Sequence, residues 1–309
     1  MHEPPPERRP TVAVVIPCFN VATTVTRTVE SVRSQPNTSY EIIAVDDGST
    51  DDTKEVLSRP SPPVRLISQP HGGACCARNA GLAEVTAPYV VFLDGDDWLE
   101  GPMLRGACDA ANAAGADIAL SRQQVLNDGV PGQFRDFFHS PRKATSVFEN
   151  WHFGQRVNTA SLLWRTDFVR SIGGWDERVL LDQDGEIFLR ALIKGAKIAH
   201  NPFGFSVYNR TAGSICTSIT EEKIINFFET AERLCQLSKN TAFEHKLSGL
   251  NYNVYKFTRE SFQKGFFKAG HIGLAVMRHQ GWSRHFGTAS HRAVASILGL
   301  ELKVRLWGR

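Results

Sequence analysis

The amino-acid sequence predicts an α/β fold with a mostly parallel sheet flanked by helices, followed by a helical C-terminal extension. Over residues 11–93, short apolar runs that suit buried strands alternate with segments whose apolar residues recur at helical spacing. Acidic clusters follow two of the apolar runs. From about Thr220 onward only the helical spacing remains. Such alternation favours parallel strands joined by right-handed crossovers, with helices on both faces of the sheet.

The elements are predicted from these patterns in chain order. Strands are predicted over residues 11–16, 40–45, 64–68 and 89–93, the first of them ended by Pro17. Helices are predicted over residues 21–34, 51–57 and 73–85, from Ile187 onward, and over residues 221–238. Both acidic clusters are therefore expected at the carboxyl ends of strands, where open α/β sheets bind their ligands.

Length and composition indicate a globular protein with a core of ordinary size. The chain has 309 residues, 42% of them hydrophobic and 22% charged, and a formal net charge of +3 that selects no class of partner. Its six cysteines form neither CxxC pairs nor an evident disulfide framework, which favours a reducing compartment. Residues 1–10 are expected to be a flexible N-terminus without the layout of a signal peptide, and no stretch is apolar for the length of a membrane span.

The acidic cluster after the fourth predicted strand contains Asp94, Asp96 and Asp97, with Gly95 between the first two. Carboxylates this close raise one another's pKa unless a cation or strong donors compensate, so the cluster indicates a divalent metal with oxygen ligands, Mg²⁺ or Mn²⁺. The alternative is that Asp-Gly marks a turn and the later aspartates cap a helix. Gly95 would allow a phosphate to approach the backbone, although turn geometry also explains it.

The cluster after the second predicted strand begins with Asp46 and Asp47. These carboxylates are able to accept hydrogen bonds from a base N–H or a ribose hydroxyl. The sequence has neither a GxGxxG after its first strand nor a GxxxxGK[ST] motif, so the common Rossmann and P-loop nucleotide sites are excluded. Two acidic strand ends beside one metal indicate a site for a nucleoside diphosphate.

Further motifs follow one another along the chain: VVIPCFN at 14–20, VDDGSTDDT at 45–53, GG at 72–73 leading to ARNAG at 77–81, FLDGDD at 92–97, IGGWDE at 172–177 and QDGE at 183–186. Their order and spacing establish a resemblance to the family 2 glycosyltransferases, which have the GT-A fold, over roughly residues 12–218. It implies a glycosyltransferase domain over residues 11–219, with a nucleotide-sugar-binding half over 11–125 and an acceptor half over 126–219. Residues 220–309 then form the helical, basic extension.

The resemblance also implies roles for individual residues. The donor-binding residues would be Pro17, Phe19, Asn20, Asp46, Asp47, Arg78, Asp94 and Asp96. Pro17 and Phe19 would line the base pocket, Asp47 would contact the base, and Asp96 would lie near the ribose. The metal ligands would be Asp96 and Asp97, with Asp97 the main one, although the overlapping DxDD pattern leaves open which carboxylate binds directly.

Sugar transfer requires a base that deprotonates the acceptor hydroxyl. The motif at residues 182–186 supplies Asp182 and Asp184 near the start of a predicted helix, and the resemblance to the family's ED-type motif favours Asp184 as the catalytic base, with Gln183 in place of the more usual Glu. The alternative is that both aspartates cap the helix. A base opposite the leaving group implies a single displacement with inversion at the anomeric carbon.

The acceptor is expected to contact Trp175, Asp176 and Glu177, because the resemblance places their motif in a loop between the donor and acceptor halves. Trp175 would stack on a sugar face or, alternatively, close the core. Family members often carry a His in the segment that corresponds to residues 207–214, and this sequence has none there. Arg210 is a candidate electrostatic substitute, and an ordinary solvated or structural Arg is the alternative.

The C-terminal segment is basic and aromatic. After Glu260 its one acidic residue is Glu301, against eight Lys and Arg residues interleaved with Phe and Trp. Such a segment could contact an anionic membrane surface, where a lipid-linked acceptor would be found, or pack on the catalytic domain with a solvated basic face. Nucleic-acid binding is not expected, because no known module accompanies the charge.

The sequence therefore predicts a metal-dependent inverting glycosyltransferase that moves a sugar from a nucleotide-sugar donor, UDP first, to a glycan or lipid-linked acceptor in surface polysaccharide synthesis. A bacterial cytoplasmic enzyme, peripheral at the inner face of the membrane, is expected. The alternatives are a nucleotidyltransferase that makes nucleotide sugars and a nucleotide-sugar-binding protein without catalysis. A nucleotidyltransferase would carry a Gly-rich basic loop after the first strand, where this chain has residues 17–20.

Overall fold

The computed structural model describes residues 11–59, 64–136, 157–210, 219–244 and 247–282. The chain divides into two compact units. The first contains residues 1–141, 157–177 and 194–212, and the second contains residues 142–156, 178–193 and 213–309. The domain and half-domain boundaries expected from the sequence stay predictions, and the N-terminal residues 1–10 lie outside the described residues.

The first unit is built on a mixed sheet. Its described strands are β1 (Val12–Cys18), β2 (Tyr40–Asp46), β3 (Arg65–Ser68), β4 (Tyr89–Phe92), β5 (Trp98–Glu100), β6 (Ile118–Asn127), β7 (Val130–Arg135), β8 (Leu162–Arg165) and β9 (Ile198–Arg210). Their order across the sheet is β3-β2-β1-β4-β8-β6-β9-β5, and β7 pairs with β6. The four strands β3, β2, β1 and β4 are parallel, whereas β8 runs antiparallel to both β4 and β6. The predicted α/β fold class is confirmed.

The prediction that Pro17 ends the first strand is wrong, because β1 continues to Cys18. Val15 accepts a hydrogen bond from the Leu93 N–H, and Cys18 accepts one from the Asp47 N–H, so alternate residues of β1 bond to opposite neighbours. Pro17 therefore faces the β4 side, beyond the last residue of β1 that is paired with β4. A proline is tolerated there, because it removes no hydrogen bond from the paired part of the two strands.

Helices cover the parallel strands. The first unit contains α1 (Val25–Arg33), α2 (Thr53–Ser58), α3 (Ala74–Glu84), α4 (Met103–Ala114) and α5 (Thr166–Ser171). A buried apolar cluster lies between the sheet and α1 and α4, and it includes Val14, Val29, Val91 and Leu104. On α3, a Cβ added at Gly81 would lie 2.4 Å from Val15 Cγ1, so glycine lets this helix approach β1 closely.

The described part of the second unit is helical: α6 (Gln183–Ile193), α7 (Glu221–Ser238), α8 (Ser248–Lys264) and α9 (Phe267–His279). The predicted bounds of α7 are confirmed. Thr220 caps α7, because its side chain accepts the Lys223 N–H, and Glu221 and Glu222 in the first turn complement the helix dipole. Phe227 of α7 packs on Phe257 of α8 with ring centroids 4.8 Å apart. Within the described ranges, no helix combines the length and apolar character needed to cross a membrane.

Candidate active site

Asp46 and Asn20 hold together the loops that follow β1 and β2. Asp46 is the last residue of β2, and its Oδ1 accepts the Ser49 N–H at 3.1 Å. The Asn20 N–H donates to Ser49 Oγ at 3.0 Å, and Asn20 Oδ1 accepts the Thr50 N–H at 2.8 Å. These bonds fix two loops that follow neighbouring parallel strands, so Asp46 and Asn20 shape this edge of the sheet.

Asp47 is the anchor of the loop that precedes α3. Its Oδ1 accepts hydrogen bonds from Gln69 Nε2 at 2.7 Å and from the Gly72 N–H at 2.9 Å, and its Oδ2 accepts the Gly73 N–H at 2.8 Å. The residue is buried. Two backbone donors at the start of α3 hold the carboxylate in place without a metal. The predicted contact between Asp47 and a base therefore requires one of these partners, or His71, to give way.

His71 is the exposed partner of Asp47, and it also covers Phe19. Its Nδ1 lies 2.9 Å from Asp47 Oδ2, and its ring stacks on the Phe19 ring with centroids 4.2 Å apart and an interplanar angle of 28°. No role for His71 or Gln69 was predicted from the sequence. The one local signal is that both residues follow the predicted third strand within three residues of its end.

Arg78 connects the second acidic cluster to Trp175. Arg78 is buried on α3, and its Nη2 donates to Asp94 Oδ1 at 2.6 Å. The guanidinium carbon lies 4.3 Å from the centroid of the Trp175 ring. The pairing makes Asp94 Oδ1 a poor metal ligand, because the guanidinium already neutralises it. Arg78 is therefore positioned between a predicted donor-binding residue and a predicted acceptor-binding residue.

Trp175 is buried, with 2% of its surface exposed, and its ring meets Phe92 edge-on at 5.2 Å. Burial favours the interpretation that its ring closes the core, although its indole N–H has no partner among the described residues. Asp176 beside it is half-buried, and Glu177 is exposed. The Glu177 carboxylate accepts a hydrogen bond from Asn79 Nδ2 at 2.8 Å. The acceptor roles of these three residues stay predictions.

Asp96 is the available carboxylate of the cluster. It is half-buried, and no other described residue donates a hydrogen bond to its carboxylate. Burial, followed by repulsion from Asp94, raises the pKa of Asp96 to about 6, and Arg27 partly offsets this rise. The Arg27 guanidinium is held over the Trp98 ring at 3.7 Å and donates to the Asp96 carbonyl at 3.3 Å. A cation at Asp96 would relieve the repulsion.

Asp97, expected to be the main metal ligand, lies inside the protein with none of its surface exposed. Its Oδ1 accepts the Asn209 N–H at 2.9 Å, and its Oδ2 accepts Asn158 Nδ2 at 3.0 Å. Burial, with repulsion from Asp94 and Asp96, holds the pKa of Asp97 well above its usual range. These contacts describe a carboxyl group that ties the cluster to β9 and to the segment before β8, and they favour Asp96 over Asp97 for direct metal contact.

The two acidic clusters open at the same edge of the sheet, because β1 lies between β2 and β4. Cys18 ends β1 there. Burial raises the pKa of the Cys18 thiol, and the nearby carboxylates of Asp46 and Asp94 raise it further. Both carboxylates thus act on one atom at the end of β1. The prediction that the acidic motifs lie at the carboxyl ends of strands is confirmed.

The residues fit a metal that takes most of its ligands from a substrate. No group of three or more His, Cys, Asp or Glu side chains is arranged to hold a metal ion within the described residues. Mg²⁺ usually keeps several waters and is held by one or two carboxylates together with substrate phosphates. Asp96, half-buried and without a competing donor, suits that arrangement. The other oxygen of Asp94 is the second candidate ligand.

Asp184 belongs to the second unit. It is half-buried in the first turn of α6, where the helix dipole favours a negative charge. Asp182 precedes the helix with φ of 62°, and its carbonyl accepts the Glu186 N–H. Glu186 pairs with Arg190 at 2.6 Å within the same helix. The helix begins at Gln183, four residues before the predicted Ile187, and the prediction that Asp182 and Asp184 lie near its start is confirmed. The role of Asp184 as a base stays a prediction. Arg210 is exposed, with its guanidinium 5.3 Å from the Tyr208 ring centroid.

Comparison with known proteins decides the family. Residues 13–171 match the family model described as Glycosyl transferase family 2. The chain belongs to glycosyl transferase family 2. Succinoglycan biosynthesis protein ExoO of Rhizobium meliloti (strain 1021) is 35% identical over 228 residues, which cover 70% of this chain and 65% of ExoO. Glycosyltransferase AglE of Haloferax volcanii is 28% identical over 210 residues, which cover 63% of this chain and 66% of AglE. The chain thus matches about two thirds of these relatives' length.

Solved structures share the fold of this family 2 member. The crystal structure of S. aureus TarS 1-349 has a TM-score of 0.63 and 19% identity, covering 82% of this chain and 74% of that one. The mannosyltransferase PcManGT from Pyrobaculum calidifontis, in complex with GDP-Man and Mn²⁺, has a TM-score of 0.60 and 16% identity, covering 99% of this chain and 85% of that one. The predicted GT-A glycosyltransferase fold is confirmed.

Proposed function

We propose that this chain is a metal-dependent, inverting glycosyltransferase that moves a sugar from a nucleoside-diphosphate donor to a hydroxyl of a glycan or lipid-linked acceptor. The observation that carries the proposal is that an aromatic ring, an anchored carboxylate and an available carboxylate follow the three neighbouring parallel strands β1, β2 and β4: Phe19, Asp47 and Asp96. These are the parts that a base, its ribose and a diphosphate-bound cation require.

UDP is the first donor to consider, and GDP and dTDP follow. A structure of TarS 1-349 is described as a complex with UDP-GlcNAc, whereas PcManGT is described as a complex with GDP-Man and Mn²⁺. The shared fold supports a nucleotide-sugar donor and does not choose the base. In this chain Phe19 offers a stacking surface and Asp47 an acceptor for a base N–H, and uracil, guanine and thymine all present both features.

At the phosphate end, Asp96 with Asp94 would hold the cation, and Arg78 fixes the position of Asp94 through its buried side of the ion pair. When bound, the cation would neutralise the charge that develops on the diphosphate leaving group. Asp97 holds the cluster from inside the protein, because Asn158 and Asn209 donate hydrogen bonds to both of its carboxylate oxygens. The Asp47 anchor meanwhile sets the start of α3, from which Arg78 extends.

Asp184 is proposed as the base that takes the proton from the acceptor hydroxyl. Its place in the first turn of α6 favours its ionised form, which a base must have before it accepts a proton. The acceptor oxygen then attacks the anomeric carbon as the bond to the diphosphate breaks. One displacement inverts the configuration, so an α-linked donor gives a β-linked product.

The acceptor is proposed to be a growing surface glycan or a lipid-linked oligosaccharide. The support is the name of ExoO, a succinoglycan biosynthesis protein, together with the basic C-terminal segment of this chain. On α9 the exposed residues include Phe267, Lys268 and Arg278, and the helix has no acidic residue. Peripheral contact of this segment with the inner face of a cell membrane would bring the enzyme to a lipid-linked acceptor.

A thermal-shift panel tests the donor site. UDP-, GDP- and dTDP-sugars are added with and without Mn²⁺, and a ligand present at 100 times its Kd raises the stability of the native state by about 2.7 kcal/mol. The proposal expects a metal-dependent rise in Tm with one nucleotide class and none with Asp96→Asn. Asp109→Asn is the matched control, because Asp109 forms an exposed ion pair with Arg105. No response to any nucleotide would contradict the donor site.

Product analysis separates the alternatives. A transferase releases the nucleoside diphosphate only as sugar reaches an acceptor or water, whereas a nucleotidyltransferase forms pyrophosphate from a nucleoside triphosphate and a sugar phosphate. A donor-binding protein without catalysis would show the Tm shift and no turnover with any acceptor. Formation of pyrophosphate would contradict the proposed activity and indicate a nucleotidyltransferase. Binding without turnover would contradict it and indicate a donor-binding protein.

A further inference from the structure

His71 occupies both residues that the proposed function assigns to the nucleotide base. Its ring lies on the Phe19 ring at a centroid distance of 4.2 Å, and its Nδ1 lies 2.9 Å from Asp47 Oδ2 and 3.1 Å from the Asp47 carbonyl oxygen. A planar ring that stacks on an aromatic residue and directs a ring nitrogen at a carboxylate makes the same two contacts that a bound nucleobase would make.

We propose that the His71 imidazole fills the place of the nucleobase in the free enzyme and leaves it when the donor binds. The inference rests on the proposed function, because it takes Phe19 and Asp47 to be the base-binding residues. The inference adds to the proposed function a residue, His71, that blocks the base-binding site of the free enzyme. The donor must therefore compete with this side chain. The ligand class is a nucleoside diphosphate whose base carries an N–H donor.

The imidazole is able to leave without opening the loop that carries it. The side chain of His71 is 57% exposed, so its rotation displaces little protein. The loop backbone is held separately, since the Gly72 and Gly73 N–H groups donate to Asp47 and the Gln69 N–H donates to the Asp46 carbonyl. Rotamer changes of exposed side chains take picoseconds to nanoseconds, so the exchange would not limit the rate of donor binding.

Removal of the imidazole is expected to tighten nucleotide binding. If the ring covers Phe19 for about 70–90% of the time, the competent fraction rises about three- to tenfold when the ring is removed, and Kd falls by the same factor. A ring that instead stayed in place and formed a wall of the base pocket would lose a contact on removal. The sign of the change in Kd therefore distinguishes the two roles.

Calorimetric titration of UDP, GDP and dTDP into the full chain, with and without Mn²⁺, tests the inference. His71→Ala is expected to lower Kd about three- to tenfold. His71→Phe keeps a ring that is able to stack but cannot bond to Asp47, so Kd is expected between those of the parent and His71→Ala. Phe19→Ala should weaken binding, and more so in the His71→Ala background. His279→Ala is the control, because His279 pairs with Glu232 at 3.5 Å on the surface of the other unit.

The outcomes separate the inference from the proposed function. Parent and variants that all fail to bind a nucleoside diphosphate would overturn the proposed function, and the inference with it. A parent that binds, together with a His71→Ala variant of equal or weaker affinity, would overturn the inference alone. Binding by His71→Ala where the parent shows none would support both. Each variant is first shown to have the parent's thermal unfolding transition, and His71→Phe decides the sign if His71→Ala does not fold.

Discussion

The side chain of Asn79 forms two hydrogen bonds with the backbone of Trp175, one as donor and one as acceptor. Asn79 Nδ2 donates to the Trp175 carbonyl at 2.9 Å, and the Trp175 N–H donates to Asn79 Oδ1 at 2.9 Å. Asn79 Nδ2 also donates to Glu177. A Cβ added at Gly174, where φ is 65°, would lie 2.7 Å from Asn79 Oδ1, so glycine leaves room for this contact. Two of the family motifs, almost a hundred residues apart, are thus one structural unit.

Asn79→Ala should destabilise the first unit. It removes three hydrogen bonds that hold the loop containing Trp175, and we expect the free energy of unfolding to fall by about 1–3 kcal/mol. Urea denaturation measures the change. Asn112→Ala is the control, since Asn112 is exposed on α4 and accepts one bond, from the Tyr89 hydroxyl. A loss for Asn79→Ala no larger than that of the control would show that the loop is held by other contacts.

Arg78→Ala should be more damaging than the loss of a surface ion pair. The change leaves the Asp94 carboxylate without its counter-charge and the Trp175 ring without its covering guanidinium, so we expect a loss of about 2–4 kcal/mol in the free energy of unfolding. Arg78→Lys should recover only part, because an ammonium lacks the planar fork. Arg105→Ala breaks the exposed pair with Asp109 and should cost under about 1 kcal/mol. Equal losses for the two alanine variants would contradict a structural role for the buried pair.

Asp96 and Asp97 should respond in opposite ways to neutralisation. Asp96→Asn removes a charge that burial and Asp94 disfavour, so the stability of the free protein should stay the same or rise, while the Mn²⁺-dependent part of the nucleotide thermal shift should vanish. Asp97→Asn places an amide N–H₂ donor against Asn158 Nδ2, which is also a donor, so one hydrogen bond is lost. The free energy of unfolding should fall by about 1–3 kcal/mol. Asn158 cannot simply flip, because its Oδ1 accepts the Ala160 N–H at 2.7 Å.

Thermal unfolding and Mn²⁺-dependent nucleotide shifts, measured on both variants, check this pair of predictions. If Asp97→Asn kept full stability and lost the metal effect, whereas Asp96→Asn kept the metal effect, Asp97 would be the direct ligand after all.

The sequence predicted the parallel strands and their acidic ends because that information is local. The apolar runs of β1, β2 and β4 and the aspartates that follow them lie in single short segments. The burial of Asp97 could not be read in the same way, because its two donors are 61 and 112 residues away in the chain. The His71 stack on Phe19 likewise depends on the side-by-side placement of β1, β2 and β3, which no local pattern specifies.

The basic C-terminal segment should bind anionic membranes. Lys264, Lys268 and Arg278 are exposed on α8 and α9, and each Lys or Arg near an anionic surface contributes about 1 kcal/mol. Replacing all three by Glu should lower the partition coefficient of the full chain onto vesicles that contain phosphatidylglycerol by about a hundredfold or more, measured by co-sedimentation.

A charge-matched triple variant is the control for this surface. Lys54→Glu, Lys194→Glu and Lys239→Glu change the net charge equally at exposed positions elsewhere in the chain. Comparable losses for the two triple variants would indicate a general charge effect instead of a membrane-binding face. Equal binding of the parent to neutral phosphatidylcholine vesicles would also contradict the electrostatic contact.

Asp184→Asn should abolish transfer while donor binding remains. A general base contributes about 10²–10⁴-fold to the rate, so kcat should fall by that factor while the thermal shift with nucleotide and Mn²⁺ stays as in the parent. Asp182→Asn is the matched control two residues away, because Asn tolerates the left-handed backbone that Asp182 adopts. If Asp184 only capped the helix, Asp184→Asn would lower Tm and kcat together. The two variants would then have similar kcat values with a good acceptor. A catalytic base is expected to give a different result: Asp184→Asn loses kcat at unchanged Tm, and Asp182→Asn does not.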